Sequence, residues 1–181
     1  IETSKNKLEI LNNHSENWNV TLIDTGLTTM TGGRILRVKD HIKEGTFMLT
    51  YGDGVSNVNI SKLLDFHKKH KKLATVTAVQ PEGRFGFIDF GGNNEIRSFV
   101  EKPAGDGGWA NGGFFVLDTG VFDYIKGDET VWEKEPMENL AKDRQLVAFK
   151  FNGFWKSMDT LRDKRELESL WESGNAPWKV W

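Results

Sequence analysis

The chain has 181 residues, with 24 Lys and Arg against 26 Asp and Glu and a net charge of −2, a size that suits one core of ordinary extent. Apolar residues make up 38% and charged residues 28%; this balance advertises neither a nucleic-acid surface nor a membrane-electrostatic one. The lack of cysteine excludes disulfides and thiolate metal sites, no apolar run approaches the roughly 18 residues of a membrane span, and no signal peptide opens the chain, so the cytoplasm is the expected compartment.

Residues 1–17 are polar and irregular, with Leu8, Ile10 and Leu11 pointing to one strand. Val20-Thr21-Leu22-Ile23 is β-branched and predicts a strand, followed by a turn at Asp24-Thr25-Gly26. Thr31-Gly32-Gly33-Arg34 leads into Ile35, Leu36, Val38 and Ile42, which fit helical spacing. Phe47–Tyr51 predicts a buried strand. Ile60, Leu63, Leu64 and Phe66 predict an amphipathic helix with Ser61 near its start. The short run Lys68-Lys69-His70-Lys71-Lys72 fits a solvated helix end. Leu73–Val79 predicts another apolar strand.

Strand, helix and strand in that order predict a parallel βαβ unit and an α/β fold. Gly86–Phe90 and Ile96–Val100 around Gly91-Gly92-Asn93-Asn94 predict a hairpin. Gly112–Leu117 and Val147–Phe151 predict strands; Val121–Ile125 and Pro136–Lys142 predict short helices, the second with Pro near its first turn. Thr160–Ser173 predicts a long helix that stops at Gly174. No repeat, low-complexity tract or linker divides the chain, so 1–181 is expected to form a single domain.

Several places could carry chemistry. The run Phe47–Tyr51 ends on Gly52-Asp53-Gly54, presenting one carboxylate at a strand's C-terminal end, where open α/β sheets bind ligands. Asp53 is therefore a candidate for a metal or phosphate role, with a turn aspartate as the alternative. Asp159 suits a helix N-cap, with Asp163 in the first turn; paired in space with Asp53 it would instead complete a two-carboxylate Mg²⁺ site, since Mg²⁺ is held by one or two carboxylates plus substrate phosphates. Glu101-Lys102-Pro103 closes a strand. Lys102 there could reach a phosphate and Glu101 accept from sugar hydroxyls, or the two could form a surface ion pair. Asn111-Gly112-Gly113 could hold a flat hexose against the backbone, or form a β-bulge. Thr31–Arg34 could set N–H groups and a guanidinium against phosphate, or be a glycine turn. The four histidines show no metal-ligand spacing. No nucleophile elbow, Walker loop or pair of glycosidase carboxylates is present.

In order, the motifs read TGGR (Thr31–Arg34), YGDGV (Tyr51–Val55), GRFG (Gly83–Gly86), EKP (Glu101–Pro103), NGGFFVL (Asn111–Leu117), WEKEPM (Trp132–Met137), FWKSMDTLRDK (Phe154–Lys164) and APWKVW (Ala176–Trp181). As a set, across nearly all of residues 18–181, they closely resemble the glucose-1-phosphate cytidylyltransferases of the sugar nucleotidylyltransferase family. That resemblance implies a Rossmann-like, mixed but mainly parallel sheet flanked by helices. It also implies Mg²⁺, and conversion of CTP and α-D-glucose 1-phosphate to CDP-glucose and pyrophosphate for deoxysugars of bacterial surface polysaccharide. By motif match, Asp53 and Asp159 resemble the family's metal ligands; Thr29, Arg34 and Gly52 fall with Asp53 where nucleotide is contacted; Glu101, Lys102, Asn111 and Gly112 fall where sugar phosphate is held. Lys102 joins the two aspartates in the implied catalytic set.

Family members assemble as oligomers, which implies a homo-oligomer here. For the segment 160–181, rich in Trp, an oligomer interface and simple core packing are both open. Two departures stand out. The chain begins at Ile1 without the family's glycine-rich G-G-x-G-T-R loop, so it is expected to be the C-terminal two-thirds of a domain, with an unpaired sheet edge and weak or no activity alone. Asn57 stands where an acid is expected. A related transferase using UTP or dTTP, and a non-catalytic sugar-phosphate-binding or assembly subunit, are the competing functional readings.

Overall fold

The computed structural model describes residues 18–81, 87–90, 95–100 and 108–180. In chain order the elements are α1 (Thr31–Arg37), β1 (Thr46–Thr50), β2 (Gly54–Ser56), α2 (Ile60–His70), β3 (Ala74–Val79), β4 (Phe87–Phe90), β5 (Ile96–Val100), β6 (Ala110–Asp118), α3 (Glu135–Lys142), β7 (Leu146–Phe151), β8 (Trp155–Ser157) and α4 (Leu161–Glu172). Short 3₁₀ turns follow α1 at Lys39–His41 and β6 at Thr119–Tyr124.

The main sheet has the order β1-β6-β3-β7. Strand β6 pairs antiparallel with both β1 and β3, while β7 pairs parallel with β3. Three of the four strands thus run the same way and β6 alone opposes them, the mixed, mainly parallel α/β sheet expected. The strand–helix–strand unit β1–α2–β3 does run parallel, but β6 lies between its two strands. Among the described residues β1 and β7, at the two ends of the order, each pair within the main sheet on one side only. The hairpin β4–β5 forms its own antiparallel pair.

Strand β3 is buried at every position, because both faces of the sheet are covered. Successive side chains of a strand point to opposite faces. On one face Ala74 and Val76 join Ile35, Phe115, Leu117, Val121, Phe122, Ile125, Trp132 and Leu140 in a single apolar cluster. On the other, Thr75 meets α2 through His67 and His70. Leu63, 1% exposed, is the apolar residue of α2 buried deepest. Trp132, in the turn that leads into α3, is fully buried against Phe115.

Three local expectations are corrected. The strand expected to be buried at Phe47–Tyr51 forms as β1, but Thr46, Met48 and Thr50 are exposed and Phe47 and Leu49 only partly buried, because β1 stands at the end of the strand order. Val20–Ile23 forms no strand: Val20 and Leu22 are exposed, and β-branched residues favour a strand only where neighbours pair and pack with them. Asp159 is not the N-cap of α4; Thr160 is. Its hydroxyl accepts from the Asp163 N–H while Asp163 accepts from the Thr160 N–H, a reciprocal capping box. The stop at Gly174 is as expected. Gly174 has φ +72°, its N–H donates to Trp171 O and that of Asn175 to Leu170 O, the two bonds of a Schellman motif. No helix among the described residues is long and apolar enough to cross a membrane.

Candidate functional site

The two aspartates singled out in the sequence, 106 positions apart, are brought to one place by a ribbon too short to announce itself. Strands β2 and β8 pair antiparallel, Gly54 opposite Ser157 and Ser56 opposite Trp155. Beyond the last pair, the Met158 N–H donates to Asp53 O at 2.8 Å. Asp53 and Asp159 therefore flank the same end of the ribbon, where β1 ends, and both are exposed. Ser157 Oγ donates to Asp159 Oδ2 at 2.9 Å, orienting that carboxylate. With α4 capped by Thr160, Asp159 is not needed for the cap.

The ribbon is fastened to its surroundings by its own polar groups. Ser56 Oγ donates to Phe154 O. Asn57 Oδ1 accepts the Phe154 N–H at 2.9 Å, so the residue standing where an acid was expected joins β2 to β8. Trp155 Nε1 donates to Gly112 O at 2.7 Å, which ties β8 to the main sheet. The room left by the missing side chains of Asn111-Gly112-Gly113 is filled by protein: a Cβ on Gly112 would sit 2.9 Å from Thr77 O, and one on Gly113 2.6 Å from the Tyr51 ring. The register shift between β3 and β6 occurs here, the bulge that was the alternative reading of this motif.

A second constellation links four of the sequence motifs. Asn111 Oδ1 accepts the Gly113 N–H at 2.9 Å, and Asn111 Nδ2 donates to the Tyr51 hydroxyl at 3.1 Å. Tyr51 donates in turn to Glu133 Oε1 at 2.6 Å. Glu133 Oε2 accepts from Thr31 Oγ1 at 2.7 Å, and Thr31 Oγ1 accepts the Trp132 N–H. Burial and the bond to Glu133 push the Tyr51 hydroxyl above its ordinary range, against the opposing donation from Asn111, so it remains a proton donor at neutral pH. Tyr51 and Glu133 were not singled out as site residues; both lie inside matched motifs, YGDGV and WEKEPM, and only their pairing in space exposes them.

Around Thr31–Arg34 the groups are already engaged. The N–H of Gly32 donates to Thr130 O at 2.9 Å and that of Gly33 to the same oxygen at 3.3 Å. A Cβ on Gly33 would lie 2.6 Å from the Asp128 backbone, so these glycines let α1 approach the 127–130 turn. Arg34 donates to Thr25 Oγ1 and Leu27 O, and Thr29 is buried. Gly52 is exposed and open. Glu101 and Lys102, with Gly83–Gly86, lie outside the described residues.

A nucleotidyl transferase family model matches residues 7–172. The chain belongs to the nucleotidyl transferase family. The glucose-1-phosphate cytidylyltransferases of Salmonella typhimurium and Salmonella typhi are each 52% identical to it over 179 residues, which span 98% of this chain and 69% of theirs. Among solved structures, apo UDP-glucose pyrophosphorylase matches with a TM-score of 0.59 at 16% identity, over 83% of this chain and 62% of that one, a likeness of fold alone. The chain thus spans less than two-thirds of that solved structure.

On this nucleotidyl transferase frame the described groups fall into three sets. Asp53 and Asp159 share the ribbon end; Asn111, Tyr51, Glu133 and Thr31 form one hydrogen-bonded chain; Arg34 holds the loop before α1. Among the described residues no group of three or more His, Asp or Glu side chains gathers as a metal cage. A pair of exposed carboxylates fits a cation that takes its remaining ligands from a phosphate-bearing substrate and water, as Mg²⁺ does.

Proposed function

We propose that the protein is a glucose-1-phosphate cytidylyltransferase, joining CTP and α-D-glucose 1-phosphate to give CDP-glucose and pyrophosphate. The observation that carries this reading is 52% identity to proteins of that name across 98% of the chain. The reaction forms a bond from a sugar-phosphate oxygen to the α-phosphorus of CTP and breaks the bond from that phosphorus to the departing pyrophosphate.

The attacking oxygen belongs to a phosphate whose second pKa is about 6, so it is ionised at neutral pH and needs no general base. A site with no nucleophilic Ser or catalytic His assigned among its described residues fits that requirement. What the protein must do is hold two anions in line and offset their repulsion. Asp53 and Asp159 would hold Mg²⁺, which when bound supplies charge neutralisation and polarisation at the α-phosphate. Lys102 would place the sugar phosphate as a point charge, Glu101 would accept from the sugar hydroxyls, and Asn111 with the Gly112 backbone would bind the hexose. Thr29, Arg34 and Gly52 would lie on the nucleotide side. A homo-oligomer working in the cytoplasm, in deoxysugar synthesis for surface polysaccharide, completes the proposal.

The test is turnover by the natural gene product with CTP, UTP and dTTP, each with glucose 1-phosphate and Mg²⁺, followed as pyrophosphate release. Preference for CTP supports the reading. Preference for another nucleotide moves the protein to a sister activity, and binding of glucose 1-phosphate without turnover replaces the enzyme with a binding subunit.

A further inference from the structure

Asn111 is placed by two bonds of opposite sense. The Gly113 N–H can only donate, so the side-chain atom facing it, at 2.9 Å, is the amide oxygen. The amide nitrogen then lies 3.1 Å from the Tyr51 hydroxyl and must donate to it. A hydroxyl has one proton. Tyr51 can accept from Asn111 and present no competing proton only because its own is committed elsewhere, to Glu133 Oε1 at 2.6 Å. Glu133 is an exposed carboxylate, with no cation paired to it among the described residues, and its other oxygen takes the Thr31 hydroxyl. The direction of donation is therefore uniform, from Asn111 through Tyr51 to Glu133. One Asn111 N–H is left, and the amide oxygen is already used.

The geometry points to Glu133 as a positioning residue of the sugar-phosphate site: by accepting the Tyr51 proton it fixes the Asn111 carboxamide to face the ligand as an N–H donor. This rests on the reading that Asn111 binds the sugar phosphate. It extends that reading by assigning the chemistry of the contact, a donor aimed at a hydroxyl or phosphate oxygen acting as acceptor. It also gives roles to Tyr51 and Glu133, which act through Asn111. Glu133→Gln would keep an oxygen able to take the Tyr51 proton, whereas Glu133→Leu removes the acceptor and frees that proton to point at Asn111 Nδ2. The amide can then meet the hydroxyl only by turning its nitrogen onto the Gly113 N–H. Either arrangement sets donor against donor.

The experiment is steady-state kinetics of the natural gene product with CTP, glucose 1-phosphate and Mg²⁺, for the unaltered protein, Tyr51→Phe, Glu133→Leu and the double variant. Tyr51→Phe removes one oxygen from a side chain of unchanged shape and keeps the test open should Glu133→Leu fail to fold. Expected is a rise in KM for glucose 1-phosphate of about five- to twentyfold in each single variant. KM for CTP should stay within about twofold, and the double variant should be no worse than the poorer single, since linked residues give non-additive effects. The inference is overturned if either folded variant keeps the parent's KM for glucose 1-phosphate, if the two effects multiply, or if both KM values rise together with a lowered melting temperature. If the unaltered protein neither turns over nor binds glucose 1-phosphate, the functional reading itself fails and this inference falls with it.

Discussion

Asp53 and Asp159 stand at one end of one two-stranded ribbon, with the Asp53 carbonyl accepting the N–H of Met158, the residue just before Asp159. Their proximity depends on three paired residues in each strand. Asp53→Asn and Asp159→Asn should therefore each lower turnover by about a hundredfold or more, the scale of losing one preorganised electrostatic group, while the melting temperature stays close to that of the parent. Both side chains are exposed and Asp159 caps no helix, so little stability should be lost with them. Turnover measured with and without EDTA, beside thermal melts, checks the two halves of this statement.

The end of the ribbon is continuous with the start of α4, and the cap there separates stability from chemistry. Thr160→Ala removes the hydroxyl that accepts the Asp163 N–H and should cost about 1 kcal/mol, read from urea unfolding. The Asp53–Met158 bond is untouched by this change, so turnover should drop far less than in Asp159→Asn. An equal fall in turnover would mean that α4 itself positions Asp159.

The uneven legibility of the chain has physical causes. Leu73–Val79 is readable because a strand buried at every position is rich in apolar and β-branched residues, and Val147–Phe151 because its apolar positions alternate with exposed ones. The Gly174 stop was readable because an αL position favours glycine. The three-residue strands β2 and β8 were not, since Gly54-Val55-Ser56 and Trp155-Lys156-Ser157 are too short to show a period. The cap reading of Asp159, one of the two open for it, arises because Asp and Thr both cap helices and stand side by side. Val20–Ile23 has strand composition without a strand partner among the described residues. Tyr51 and Glu133 were missed for another reason: 82 positions separate them, and neither residue type is diagnostic without its neighbour.

The glycines offer a contrast between required and tolerant positions. Gly113 has φ +75°, and a Cβ there would press 2.6 Å from the Tyr51 ring. Gly113→Ala should destabilise the fold by about 3 kcal/mol, combining backbone strain with overpacking. Gly52 faces open space, and Gly52→Ala should change stability by no more than about 0.5 kcal/mol. Chemical denaturation of the two variants checks the difference. Comparable destabilisation in both would show that packing on Tyr51 is not what selects glycine at 113.

Stability should also respond to pH through the buried contact between α2 and β3. His70 Nδ1 accepts the Lys72 N–H, so its proton sits on Nε2, 2.7 Å from Thr75 Oγ1. Thr75 then donates to His67 Nδ1 at 2.9 Å, leaving the His67 proton on Nε2, 3.4 Å from Asp118. Both bonds to Thr75 are thus matched donor to acceptor with the His70 ring neutral, while the buried His67 Nε2 makes no hydrogen bond. Burial first, then the neighbouring His67, lower the pKa of His70, with Lys72 acting the same way and Asp118 opposing. A histidine depressed in the folded state binds its proton more weakly there than in the unfolded chain, so the unfolded chain takes up the proton first as pH falls. Stability should therefore be full above the unfolded value near 6.5 and decline as pH drops below it, down to the folded pKa. Asp128, held low by Arg37, contributes in the same direction but only in the carboxylate range, well below this window. Urea midpoints at three pH values spanning the histidine range should show the decline. His70→Gln, which keeps a donor for Thr75 and cannot titrate, should flatten it. An unchanged slope in that variant would place the titration elsewhere in the chain.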